Sequence, residues 1–150
     1  MLQGLDFTKI RTIVELGPGT GTFTQEILKQ CLPGTRLILV EIEKSYLDLL
    51  HKRFGDRVTI VNKSAHLLDQ ILREQNIEKV DLIVSGLPFL PKAIRRPFYD
   101  SLKRQTGDGT IFRFFTYMPS IMKKVYEDLP VKRLSFVIRN FPPLWVYGIN

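Results

Sequence analysis

The chain has 150 residues, 44% of them hydrophobic, and carries 22 Lys plus Arg against 15 Asp plus Glu, for a net charge of +7. That length suits one domain, residues 1–150, with a real core and no room for a second, and the positive balance favours an anionic partner, nucleic acid or an acidic membrane face. Cys31 is the only cysteine, which excludes an internal disulfide framework and a cysteine-built metal site, and no apolar run approaches the ~20 residues that span a bilayer.

Thr12–Leu16 is short, apolar and rich in β-branched residues, which predicts a buried strand. It runs into Gly17-Pro18-Gly19-Thr20-Gly21, where alternating glycines let a ligand approach the backbone. Thr22–Gln30 carries Phe23, Ile27 and Leu28 at helical spacing, with Thr22 or Thr24 as the expected cap of its first turn. Pro33 and Gly34 break that helix, and Arg36–Val40 reads as a second buried strand with Glu41 at its tip. Lys44–Phe54, with Tyr46, Leu47, Leu50 and Phe54 on one face, predicts a second helix closed by Gly55 and Asp56. Residues 57–61 follow as a third strand, 66–75 as a third helix, and 80–84 as a fourth strand leading into Ser85-Gly86-Leu87-Pro88-Phe89. A fourth helix is expected to start at 97–102, with Pro97 in its first turn. Beyond it, 110–117 predicts an aromatic fifth strand and 119–126 a short helix. Strands at 134–139 and Leu144–Ile149, joined by Asn140-Phe141-Pro142-Pro143, make an expected antiparallel pair. Strands alternating with helices imply an α/β fold whose largely parallel sheet has helices on both faces.

Ligands of open parallel sheets sit beyond the carboxyl ends of the strands. Three tips here hold unusual residues: 15–21, Glu41 and 85–89. Glu41 lies twenty residues after Gly21, the range in which a carboxylate accepts both hydroxyls of a ribose. Thr22 replaces the third glycine of a dinucleotide fingerprint, and Glu15 would repel a pyrophosphate. Both details argue for a cofactor with a ribose, no phosphates at that point, and room for a positive charge. His51 and His66 have no spaced ligand partners, so no metal is expected.

These residues resemble a known family. The run Val14-Glu15-Leu16-Gly17-Pro18-Gly19-Thr20-Gly21-Thr22-Phe23-Thr24 is similar to the cofactor motif of the Rossmann-like S-adenosylmethionine-dependent methyltransferases, and the resemblance covers nearly the whole chain. It implies a Rossmann-like open sheet, mostly parallel with a final antiparallel strand; the family normally has helical sequence before the first strand, where about eleven residues stand here. It also implies that Gly17, Pro18, Gly19, Gly21 and Thr22 border the cofactor, that Glu41 binds its ribose hydroxyls, and that Glu15 lies near its methionine portion. The adenine would rest near Ile42 and the loop 62–65, including Ser64 and Ala65. Ser64 stands where relatives commonly carry an acidic residue.

Within that fold, 85–89, the aromatic run 114–119 and Asn140-Phe141-Pro142-Pro143 look like the bacterial phospholipid N-methyltransferases, which act on phosphatidylethanolamine. The ribosomal RNA adenine dimethylases share the first motif and the Pro-Phe pair but, on this reading, place asparagine at Ser85. The resemblance therefore implies methyl transfer to a phospholipid amine, with Ser85, Phe89 and Tyr117 as the catalytic candidates. Lys92, Arg95 and Arg96 are candidates for the lipid phosphate or an anionic membrane surface; an ordinary solvated face is their alternative, as packing is for Phe89 and Tyr117. Transfer to RNA adenine or a small amine, and a cofactor-binding but inactive shortened homologue, are the rival readings. The expected setting is cytoplasmic, with peripheral contact at the inner face of the membrane.

Overall fold

The computed structural model describes residues 1–87, 90–119, 121–122, 126, 129–137 and 144–149. Phe89 and the Asn140-Phe141-Pro142-Pro143 connection lie outside the described residues. The elements are β1 (Thr12–Leu16), α1 (Thr22–Gln30), β2 (Arg36–Val40), α2 (Lys44–Phe54), β3 (Thr59–Val61), α3 (Leu68–Glu74), β4 (Leu82–Ser85), α4 (Lys92–Gly107), β5 (Ile111–Thr116), β6 (Lys132–Val137) and β7 (Leu144–Ile149).

The strands form one seven-stranded sheet in the order β3-β2-β1-β4-β5-β7-β6. The first five pair in parallel, and β7 inserts antiparallel between β5 and β6. This is the architecture expected from the alternating pattern. The inner strands are largely apolar because both faces of the sheet are covered, with Glu15 and Ser85 as buried polar residues near the carboxyl ends of β1 and β4. Val14, Leu16, Ile38, Val40 and Ile83 face α3 and α4 in one core, whereas Ile13, Leu37, Leu39, Leu82 and Val84 face α1 and α2 in the other. Leu2, Phe7 and Ile10, ahead of β1, are buried in the second core. Asp69 joins α3 to α4, accepting from Ser101 Oγ at 2.6 Å and from Arg104.

Several boundaries differ from the sequence expectation, β6 starting two residues early at Lys132 and α3 two residues late at Leu68, and three of the differences bear on the site. Gly55, at φ +53°, ends α2 and passes the chain into a 3-10 turn, Gly55–Arg57, so β3 starts two residues late. Asp81 accepts from the amides of Arg11 and Thr12 through its side chain at 2.8 and 3.0 Å, which fixes the entry to β4 and shifts that strand to Leu82–Ser85. Ser85 is therefore the last residue of the strand and not part of the turn. The third difference is α4, which begins five residues before Pro97. The carbonyl of Pro91 accepts from Ile94 and Arg95, both at 3.1 Å, and Pro97 lies inside the helix.

Candidate functional site

The turn after β1 is laced to its neighbours by backbone. Gly17 N donates to Val40 O and Gly86 N to Leu16 O, each at 2.9 Å, so the tips of β2, β1 and β4 meet where the parallel ladder ends. Side chains are excluded at this junction. A Cβ on Gly17 would stand 2.8 Å from Leu87 Cδ2, and one on Gly86 2.9 Å from the Gly17 carbonyl oxygen. Gly19 differs: at φ +55° it has nothing within 4 Å of where its Cβ would stand. The turn is thus tight on the side facing β4 and open at Gly19.

Glu15 and Glu41 flank this turn. Glu15 is only 2% exposed, and burial raises its carboxyl up to about 7 against the opposing hydrogen bond from Thr24. That bond, Thr24 Oγ1 to Glu15 Oε2, measures 2.6 Å, so Thr24 does not cap α1 as expected. The helix is capped by Gly21 with no side-chain bond, and the Thr22 hydroxyl meets only that of Thr20, at 3.3 Å. Glu41 is buried too. Its Oε2 accepts from Gly19 N at 3.0 Å and its Oε1 from Glu43 N at 2.9 Å. Each carboxylate oxygen keeps a further lone pair, held in a fixed direction by amides at the ends of two loops.

Next to Glu41, Ile42 is 64% exposed, an aliphatic surface on an otherwise polar loop. Asn62, whose amide the sequence reading did not single out, donates to Glu41 O at 2.8 Å and to Ile42 O at 3.1 Å. It ties the loop after β3 to the loop after β2. Ser64 Oγ lies 2.8 Å from His66 Nδ1, and Ala65 is buried. The glycine turn, Glu41, Ile42 and Asn62 are therefore one bonded constellation at the carboxyl end of the sheet, with Glu15 held beside it by Thr24.

The second half of the site is apolar. Ser85 is 2% exposed, and its Oγ accepts from Leu87 N at 3.3 Å, so the hydroxyl shapes the turn after β4. The residues that reach the space beyond are Gly86 and Leu87. With Phe115, Thr116, Tyr117, Met118 and Met122 they line a cleft of about 270 Å³. Tyr117 is half exposed and packs edge-on to Phe115 at 5.9 Å between centroids. Lys92 and Arg96 are exposed on the first turns of α4. Arg95 donates from Nε and Nη2 to Leu90 O at 3.2 and 2.9 Å and braces the turn leading into that helix. Among the described residues no group of three or more His, Cys, Asp or Glu could hold a metal ion, and no helix is long and apolar enough to cross a membrane.

A family described as "Ribosomal RNA adenine dimethylase" matches residues 1–89, from the N-terminus through the glycine turn, Glu41 and the 85–89 turn. The chain belongs to this family of S-adenosylmethionine-dependent methyltransferases. A curated relative from Singulisphaera acidiphila, the ornithine lipid N-methyltransferase, is 32% identical over 97% of this chain and 79% of its own length. Ribosomal RNA small subunit methyltransferase A of Lachnoclostridium phytofermentans is 32% identical over 59% of this chain, and the match spans only 31% of that relative. Among solved structures, Aeropyrum pernix fibrillarin with bound S-adenosyl-L-methionine superposes with a TM-score of 0.70, at 15% identity over 97% of this chain and 70% of that one. A putative rRNA-methylase from Clostridium thermocellum gives 0.67 at 18% identity over 93% and 88%. At such identities the superpositions establish the methyltransferase fold. The protein is an S-adenosylmethionine-dependent N-methyltransferase, and its cofactor is S-adenosylmethionine.

Proposed function

We propose that this methyltransferase acts on the amine of a membrane lipid headgroup, phosphatidylethanolamine or an aminolipid of the ornithine kind. The observation that carries the reading is the acceptor cleft. Beyond Gly86 and Leu87 it is walled by Phe115, Tyr117 and Met118; Tyr117 and Met118 are exposed, as is Ile121 three residues further along the chain. Adjacent exposed apolar side chains suit a lipid surface better than the phosphates of a folded RNA. The similarity to a lipid N-methyltransferase over nearly the whole chain supports the same reading.

The cofactor supplies an electrophilic methyl group on a sulfonium, and the chain's residues bind, orient and accept. Glu41, with both oxygens oriented by amides, receives the ribose hydroxyls; Ile42, Ser64 and Ala65 border the adenine. The glycine turn, from Gly17 through Pro18, Gly19 and Gly21 to Thr22, gives backbone contact, and Glu15 places a buried carboxylate toward the cationic end. A primary amine resembles lysine, with a pKa near ~10.4, so freeing its lone pair at neutral pH costs roughly 4 to 5 kcal/mol. The Gly86 and Leu87 carbonyls and the Tyr117 hydroxyl are the acceptors available to the amine, with Ser85 holding their turn. The Tyr117 face, and Phe89 by its place in the sequence, offer cation–π attraction of roughly 0.5 to 2 kcal/mol. Lys92 and Arg96 meet anionic headgroups.

Incubation with methyl-labelled S-adenosylmethionine and, in parallel, phosphatidylethanolamine vesicles, ornithine lipid vesicles and ribosomal RNA tests this. Label is expected in the lipid extract. Label in RNA with none in either lipid would move the assignment to the adenine reading.

A further inference from the structure

Beside the acceptor cleft lies a second cavity, of about 380 Å³, lined by Phe114, Met122, Tyr126, Leu129, Val131, Arg133 and Tyr147. We propose that this cavity receives an acyl chain of the lipid substrate, so that the enzyme reads the tail as well as the headgroup. The inference rests on the lipid reading above and adds to it a tail-binding site.

Protein interiors are packed closely, with few voids larger than a water molecule. A pocket of this size is in the range of ligand sites. Phe114 packs on Tyr126 at 4.6 Å between centroids and on Tyr147 at 5.6 Å, and all three rings are buried. The lining mixes aromatic and aliphatic side chains with the exposed Arg133, a combination that suits an amphiphile. Leu129 and Val131, half buried and packed against the same core, add aliphatic surface to the lining.

Continuity with the acceptor cleft identifies the occupant. Met122 lines both spaces, and its unbranched thioether can swing without disturbing the backbone. A chain entering past Met122 would leave the headgroup amine at Gly86 and Tyr117. A base or a small amine has no part long enough to reach from one space to the other. The exposed side chains of Tyr117, Met118 and Ile121 extend the apolar path to the surface, where a lipid would leave its bilayer. Arg133, a charged residue among the described lining and itself exposed, stands where the cavity meets solvent.

The test uses water-soluble, monomeric headgroup analogues with one acyl chain lengthened a methylene at a time, so that membrane partitioning does not enter. Expected is a rise in kcat/KM of roughly fourfold per methylene, carried mostly by KM, followed by a plateau when the cavity is full. Leu129→Trp narrows the cavity and should bring the plateau to shorter chains, with unchanged heat of binding for S-adenosylhomocysteine. Transfer that proceeds with the same kcat/KM at every chain length would overturn the cavity assignment and leave the lipid reading standing. Label in RNA and in no lipid of any length would overturn both. If Leu129→Trp fails to fold, the wild-type length series decides alone.

Discussion

Glu41 and Glu15 are both buried carboxylates, yet their surroundings give them different work. Glu41 has two amide donors, one on each oxygen, whereas Glu15 has a single hydroxyl partner, Thr24. Removing Glu41 as Glu41→Ala deletes an oriented, charge-assisted acceptor pair, so S-adenosylhomocysteine binding should weaken by roughly 10- to 100-fold, about 1.5 to 3 kcal/mol. Titration calorimetry reads this directly, and unchanged affinity would refute the ribose assignment. For Glu15 the folded carboxyl titrates at about 7, above the free value of 4.5. Between those values the folded protein binds the proton and the unfolded chain does not. Stability should therefore fall as pH rises from 4.5 to 7, by about 3 kcal/mol, and level off above. Denaturant unfolding across that window should show the slope in the wild type and its loss in Glu15→Gln. A slope that survives the substitution would assign it to another group.

At the scale of elements, the strand-turn-helix unit depends on one glycine for its fold and on another for its open face. Gly21 sits at φ +79°, and a Cβ there would overlap the Phe54 ring and approach Leu50. Gly21→Ala should cost about 1 to 3 kcal/mol through strain and overpacking, visible as a lowered Tm. Gly19→Ala, at φ +55°, carries backbone strain but meets no neighbour within 4 Å, so it lacks the overpacking cost and should lower Tm less than Gly21→Ala, with a further effect on cofactor affinity. Comparable losses of Tm in both variants would contradict this division. The helices were legible in the sequence where their apolar spacing was regular, as in α1 and α2. Caps were less legible. A threonine at a helix start has two possible uses, and only the position of Glu15 beneath α1 decides that Thr24 bonds the carboxylate.

For the whole molecule, the net charge of +7 suits an anionic surface, and α4 presents part of that charge. Lys92 and Arg96 are exposed, whereas Arg95 is occupied with Leu90 O. Reversing the two exposed charges together, Lys92→Glu with Arg96→Glu, should weaken binding to anionic vesicles by at least about tenfold, at roughly 1 kcal/mol for each basic residue near the surface. The loss should shrink as salt is raised. Sedimentation with vesicles measures it, and binding equal to wild type would return both residues to an ordinary solvated face. Arg95→Glu should instead disturb the start of α4, because its guanidinium holds a carbonyl.

Periodicity and glycine spacing were enough to read the alternating strands and helices, the glycine turn and the strand-end carboxylate twenty residues beyond it. Those signals are local, since a buried strand, a glycine turn and a strand-end carboxylate each announce themselves in a few adjacent residues. The tertiary structure decided what depends on contacts between distant segments. It made Ser85 the last residue of β4, made Gly86 and Leu87 part of the lining of the cleft beyond it, gave Asn62 the task of joining two loops, and placed a second cavity next to that cleft through Met122. No spacing rule predicts these. They arise from how three strand tips meet and from which side chains the packing of β5 and β7 leaves facing empty space.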